Sequence, residues 1–150
     1  MATSTNNKSA EVIDRNYWVE RSSEDNVKLI ESALKILNTA VQGYYEIKYN
    51  KAYIGITKEG KPTMFAGFIP QRADLLLTIK VAKTSAFDKV LAITFDRQCT
   101  YKDGWYNIHI QTDDTEKKGG LFKKMLGKAT SNIESLKPLY AQAEKEYFGE

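Results

Sequence analysis

The sequence predicts an α+β domain, an antiparallel sheet of about five to six strands with N-terminal and C-terminal helices packed on one face. Three observations carry that prediction. Between Val27 and Val41 apolar residues recur at steps of three and four. From Tyr45 to Val81 the period falls to two, broken by short turn signals. From Ile133 to Tyr147 the helical period returns. A run of strands between two helices segregates the helices to one side of the sheet.

The elements follow in order. Tyr17 and Trp18 supply bulk that anchors the entry of the chain to the core. Ser22 or Ser23 can cap a helix whose first turn holds Glu24 and Asp25, as the positive helix end prefers. Val27, Ile30, Leu34, Leu37 and Val41 share one face, with Lys28, Glu31, Lys35 and Asn38 away from it. This predicts a helix over 24–42, with Gly43 as its C′ residue. Tyr45, Ile47 and Tyr49 then alternate with Glu46 and Lys48. Strands at 52–57, 63–69 and 75–81 complete a four-stranded meander, with turns at Asn50-Lys51 and Lys58-Glu59-Gly60-Lys61. Pro70 falls between the last two strands, where a missing N–H does least harm.

Ser85-Ala86-Phe87-Asp88 has capping-box character and predicts a short helix over 85–91. Ile93 to Phe95 reads as a short strand. Lys102-Asp103-Gly104 is a turn, and Cys99 falls in the loop before it. In Trp105 to Gln111, Tyr106, Ile108 and Ile110 face one way and Trp105, Asn107 and His109 the other. The last segment is helical but interrupted: Leu121, Phe122, Met125 and Ala129 mark one amphipathic stretch. Ile133, Leu136, Leu139, Tyr140, Ala143 and Tyr147 mark a second. Pro138 can kink this stretch or begin a new turn.

Composition sets the outer bounds. The chain has 150 residues, 42% hydrophobic and 27% charged, with Lys+Arg 22 against Asp+Glu 19 and a net charge of +3. That is the make-up of one soluble domain and excludes disordered, collagen-like and disulfide-scaffold classes. A domain of this length buries roughly 68–70% of its unfolded surface and needs no staples. Residues 1–15 read as a Ser/Thr/Asn-rich disordered tail and 16–150 as a single domain. One Cys and one His leave little material for a metal site, and no cofactor is expected. There is no run of about 18 apolar residues for a transmembrane helix. The polar start, without a signal-peptide stretch, predicts the reducing cytoplasm.

Motifs for established chemistries are missing. There is no Walker-type loop, Gly-x-Gly-x-x-Gly, nucleophile elbow or His-Glu-x-x-His. Glu46-Ile47-Lys48 has the Glu-x-Lys spelling of metal-dependent nucleases, in which the carboxylate holds Mg²⁺ and the lysine stabilises charge. It lacks the carboxylate on a preceding strand, and an outward-facing pair on a half-exposed strand explains it more simply. His109 and Cys99 as base and nucleophile would need mutual geometry that their registers do not supply.

The most distinctive feature is cationic. Lys117, Lys118, Lys123, Lys124 and Lys128 occur in twelve residues without an acid, interleaved with Gly119, Gly120 and Gly127. Such a surface attracts phosphate chains through counterion release. It can equally be a solvated amphipathic helix with a hinge, or a membrane-surface contact. Arg72 and Lys80 at the sheet could assist it. The lysines lack interleaved arginine, the better residue for bidentate phosphate and base contacts, which weighs against the nucleic-acid reading. Strand aromatics, among them Tyr53, Phe65, Phe68, Trp105 and Tyr106, belong to the core where helices cover them. On an open side they could stack bases or meet a partner.

Four pieces carry a family resemblance: Tyr17-Trp18-Val19-Glu20 before the capped helix; Tyr53-Ile54-Gly55-Ile56; Pro70-Gln71-Arg72 before Leu75-Leu76-Leu77; and Ile133 through Tyr140. Together they resemble a small prokaryotic "predicted transport protein" domain often appended to restriction and phage-defence proteins, including ParB-like nucleases. The resemblance loosely spans 16–147 and departs in the Lys/Gly-rich 113–130, which reads as an insertion. It implies an α+β fold and a setting in genome defence, with no catalytic signature.

The sequence therefore predicts a non-enzymatic macromolecule-binding module that docks electrostatically on nucleic acid in a bacterial or phage defence or counter-defence context. Its contacts would be Lys117, Lys118, Lys123, Lys124, Lys128, Arg72 and Lys80, with no membrane partner. The alternatives are a protein–protein module (a homodimer or a phage-encoded inhibitor of a host factor) and a metal-dependent nuclease or its inactive descendant.

Overall fold

The computed structural model describes residues 12–72, 74–95, 99–111 and 128–149. The chain becomes helical at Arg15. Helix α1 (Arg15–Arg21) is capped by Asp14, whose carboxylate accepts from Tyr17 N at 3.0 Å. Helix α2 (Glu24–Val41) follows after two residues, capped by Ser23 Oγ accepting from Asn26 N. Val27, Ile30 and Leu37 are fully buried on it, as the spacing predicts, and Leu29, Ala33 and Ile36 widen the stripe. Its end differs from expectation. Gln42, not Gly43, takes the left-handed conformation (φ 54°), and Gly43 N donates to Asn38 O. Asn38 is also turned to account: its amide binds the backbone of Tyr45 at both N and O, which fixes the chain reversal into the sheet.

The strands are β1 (Glu46–Tyr49), β2 (Ile54–Lys58), β3 (Lys61–Pro62), β4 (Ala66–Pro70), β5 (Asp74–Lys80), β6 (Cys99–Lys102) and β7 (Trp105–Gln111). They form one antiparallel sheet in the order β1-β2-β4-β5-β7-β6, with the two-residue β3 paired to β2 alone. The four-stranded meander forms as predicted, with two departures: Pro70 does not fall between strands but ends β4 opposite Leu75, and Lys61 leaves the predicted turn to pair with Lys58 in β3. Cys99 lies in edge strand β6 and not in a loop. The predicted strand at 93–95 is instead the last turn of helix α3 (Ser85–Phe95). Leu91 and Phe95, four apart, bury the same helical face while Ile93 is 85% exposed. A strand there would have left Phe95 without cover. The cap of α3 also moves by one residue, since Thr84 Oγ1 accepts from Phe87 N.

Residues 128–134 are helical, and helix α4 (Lys137–Phe148) follows a turn, with Pro138 in its first turn, where proline costs nothing. The first predicted amphipathic stretch, apart from Ala129, lies outside the described residues.

The core forms between the sheet and the helices. Ile54, Phe68, Leu75, Leu77, Ile79, Tyr106 and Ile108 project to one side, and α2 and α4 pack over them. Tyr45 Oη donates to Glu144 at 2.7 Å, tying α4 to the start of β1. Helix α3 covers the β7-β6 end of the same side through Tyr106 Oη, which donates to Asp88 at 2.8 Å. At the opposite end of the strands α1 is pinned by Trp18 Nε1 donating to Asn50 O, and α2 by Asn26 donating to Gln71 O. The N- and C-terminal helices thus share one face. Among the described residues no helix packs on the other.

Candidate functional site

Strand alternation dictates what the uncovered face carries. Because Leu77 and Ile79 point into the core, Leu76, Thr78 and Lys80 point out. The strand registers then assemble this face in rows running across the strands.

The outermost row is Lys80-Trp105-Lys102: Trp105 on β7 pairs with Lys80 on β5 and with Lys102 on β6. Both lysines are exposed and Trp105 is half-buried. Among the described residues neither lysine has a carboxylate within ion-pair distance. The next row is small and polar: Lys48 pairs with Gly55, Gly67 with Thr78, Thr78 with Asn107 and Asn107 with Thr100. Gly55 and Gly67 fall side by side, because Ile54 pairs with Phe68. The third row is Ile69, Leu76 and His109.

Tyr53 lies across the two glycines. A Cβ on Gly55 would stand 3.0 Å from the Tyr53 ring, and one on Gly67 would stand 3.0 Å from Thr78 Oγ1 and 3.9 Å from that ring. The glycines therefore form a floor on which an aromatic ring rests. Tyr53 Oη is 3.7 Å from Met64 Sδ, and Met64 is 45% exposed. Tyr53, Met64, Ile69 and Trp105 wall an open apolar trough of about 240 Å³ above Gly67 and Thr78.

The carboxylates on this face are few. Glu46 lies on edge strand β1 opposite Thr57. Asp74 receives His109 Nδ1 at 2.8 Å, while its other oxygen, Oδ1, is buried without a partner among the described residues. His109 thus occupies the register predicted for it, and a carboxylate orients its ring. Cys99 pairs with Ile108 on the opposite side of the sheet, so the two cannot act together. Burial pushes the Cys99 thiol up to about 11, which removes thiolate at neutral pH. Glu46 and Lys48 are exposed on β1 as an outward pair. No group of three or more His, Cys, Asp or Glu side chains converges among the described residues.

The other expected contacts separate. Lys117, Lys118, Lys123 and Lys124 lie outside the described residues. Lys128 is exposed at the first described position of the 128–134 helix. Arg72 is exposed in the β4–β5 turn, where it lines an open cleft of about 520 Å³ with Tyr17, Glu20 and Arg21. The Arg21 guanidinium stacks over the Tyr17 ring at 4.1 Å. Arg72 and Lys80 flank opposite ends of β5, whose seven residues span about 20 Å. They are therefore not one contact point, and only Lys80 stands beside the aromatic trough.

The sequence marks Lys48 only within the Glu-x-Lys spelling and does not single out Lys102, yet a signal for Lys102 is present. Asp103-Gly104 is the spelling of a two-residue hairpin, and both residues have positive φ (54° and 90°). Such a loop forces its flanking residues, Lys102 and Trp105, into a cross-strand pair.

No described helix is long and apolar enough to cross a membrane. Comparison with protein-family models, curated proteins and solved structures finds no match for this chain.

Proposed function

We propose that this chain is a non-enzymatic module that docks on nucleic acid through the uncovered face of its sheet. One observation carries the reading: Trp105 set between Lys80 and Lys102, beside an apolar trough. Lysines attract phosphate as point charges, and the adjacent half-buried Trp105 gives the sugar–base portion of the ligand an apolar contact. Glu46 is peripheral and Asp74 is engaged by His109, and the exposed Lys80 and Lys102 make the Trp105 end of the face cationic. The resemblance to a domain appended to ParB-like nucleases supports a role in genome defence or counter-defence.

The test is binding of labelled DNA and RNA as a function of salt. Several phosphate contacts give log K a steep linear fall with log salt, at about 0.7–0.9 per phosphate. Lys80→Gln and Lys102→Gln should each reduce that slope by about one unit. A flat response would overturn the reading.

A second reading has its own observation, the apolar lining by Tyr53, Met64 and Ile69. Such a patch also suits a protein partner or a second copy of this chain. It predicts association that is insensitive to salt and weakened by Met64→Lys.

A further inference from the structure

Resting on the docking reading above, we infer that the ligand of the uncovered face is specifically single-stranded nucleic acid, laid across the strands with bases stacked on Trp105 and Tyr53. Three features of the face lead there.

The first is the row on which the trough sits. Gly67 and Thr78, beneath the trough, belong to one transverse row, Lys48, Gly55, Gly67, Thr78, Asn107, Thr100, that crosses the sheet from one edge strand to the other. Six strands at about 4.8 Å spacing make this row about 24 Å long. That length accommodates an extended strand of a few nucleotides, the low end of the ~4–16-nucleotide sites of sheet-based single-strand binders.

The second is the floor itself. Gly55 and Gly67 have no side chains, and Thr78 is short. Both glycines are buried, Gly55 beneath the Tyr53 ring and Gly67 beside Thr78, so Tyr53 lies low on the sheet and a planar group settles against Tyr53 and Trp105. In a duplex every base face is already covered by its neighbours in the stack. A duplex could therefore use the lysines of this face but not its aromatics. Only unpaired bases offer free π-faces to both.

The third is the placement of charge. Lys80 and Lys102 flank Trp105 at the wall of the trough, and Lys48 stands at its far edge. Cations on the rim with aromatics inside match a chain of phosphates outside and bases within. An amphipathic protein helix would need the reverse at that rim, a row of acids. Lysine without arginine, and Asn107 as the one amide on the floor row, predict tolerance of base identity.

The experiment compares oligo(dT) of about twelve nucleotides with a duplex of the same length, using intrinsic fluorescence and anisotropy. Trp18 is 5% exposed, so quenching reports Trp105. The expected result is at least tenfold preference for the single strand, with quenching. Trp105→Ala should weaken single-strand binding about tenfold or more while duplex affinity stays within twofold. Trp105→Phe keeps a stacking ring and should restore most of the affinity, which separates stacking from misfolding. Equal, salt-dependent binding of both ligands, unchanged by Trp105→Ala, would overturn the single-strand inference and leave the docking reading standing. No salt-dependent binding of either ligand would overturn both. So would salt-insensitive self-association through this face, seen by sedimentation and abolished by Trp105→Ala.

Discussion

Cys99 shows how one residue's chemistry follows from the side of the sheet it faces. Its neighbour Thr100 points to the open side and is exposed, whereas Cys99 points to the core beside Ile108. A thiol held near 11 is almost wholly protonated at neutral pH. Iodoacetamide at pH 7.5 should therefore label the folded protein roughly a hundredfold more slowly than the unfolded chain in denaturant. Equal rates in the two states would mean that the thiol is not held in the core. That the chain has a single Cys is legible in the sequence, but its burial is not. An isolated Cys-Thr-Tyr-Lys segment spells a loop as readily as an edge strand. Trp105 is the converse case: the alternation of Trp105, Asn107 and His109 against Tyr106, Ile108 and Ile110 assigned it to the polar side from the sequence alone. Its lysine neighbours became visible only when β5 and β6 were in register.

At the scale of elements, the outcome turned on long-range partners. The first turn of α3 is held by Asp88, which receives Lys83 and the Tyr106 hydroxyl. Both hold the Asp88 carboxyl below the ordinary carboxylate range, Lys83 the more strongly. A carboxylate whose folded-state pKa is depressed contributes stability above its unfolded pKa and loses it as pH falls through the folded one. Stability should therefore decline on the acid side, below the ordinary carboxylate range, and Asp88→Asn should make that decline shallower. Denaturant midpoints across acid pH measure this, and an unchanged profile in the variant would refute it. Tyr106 is affected in the opposite sense. Burial first, and the bond to Asp88 second, raise its hydroxyl to about 12.

The same region holds the clearest departure from local reading. Ile93-Thr94-Phe95 is β-branched and aromatic, a strand spelling. The helix continues through it because Leu91 and Phe95 both reach the core only at helical spacing. Tertiary burial outweighed local propensity there. At the end of α2 the reversal depends on Asn38 reaching Tyr45 in both directions, so Gln42 tolerates the left-handed turn that glycine would have taken more easily.

At the scale of the molecule, stability is concentrated on one side of the sheet. Leu139 and Tyr140 of α4 are fully buried, with Leu136 just before them. They bring the end of the chain against α2 and β5, elements far away in sequence. Leu139→Ala should cost about 2–5 kcal/mol, read from the urea midpoint at constant m. A loss under 1 kcal/mol would mean that α4 is peripheral to the cooperative unit. Among the described residues the helices lie on one side, and the opposite face keeps Trp105 and Tyr53 half-buried and Lys80 and Lys102 exposed. The scaffold is thus a mixture of helices whose spacing announces them and strands whose partners must be discovered.

By itself the sequence determined the fold class, the helix over α2, the meander and its turns, and which residues of β7 face away from the core. Each of these depends on interactions a few residues apart or on a hydrophobic period, and both are written locally. The tertiary structure alone decided that Lys80, Trp105 and Lys102 form a row, that Gly55 and Gly67 lie together beneath Tyr53, and that Arg72 stands apart from them. Those juxtapositions arise from hydrogen-bonded register between strands distant in sequence. A shift of one residue in that register would send every side chain to the other face.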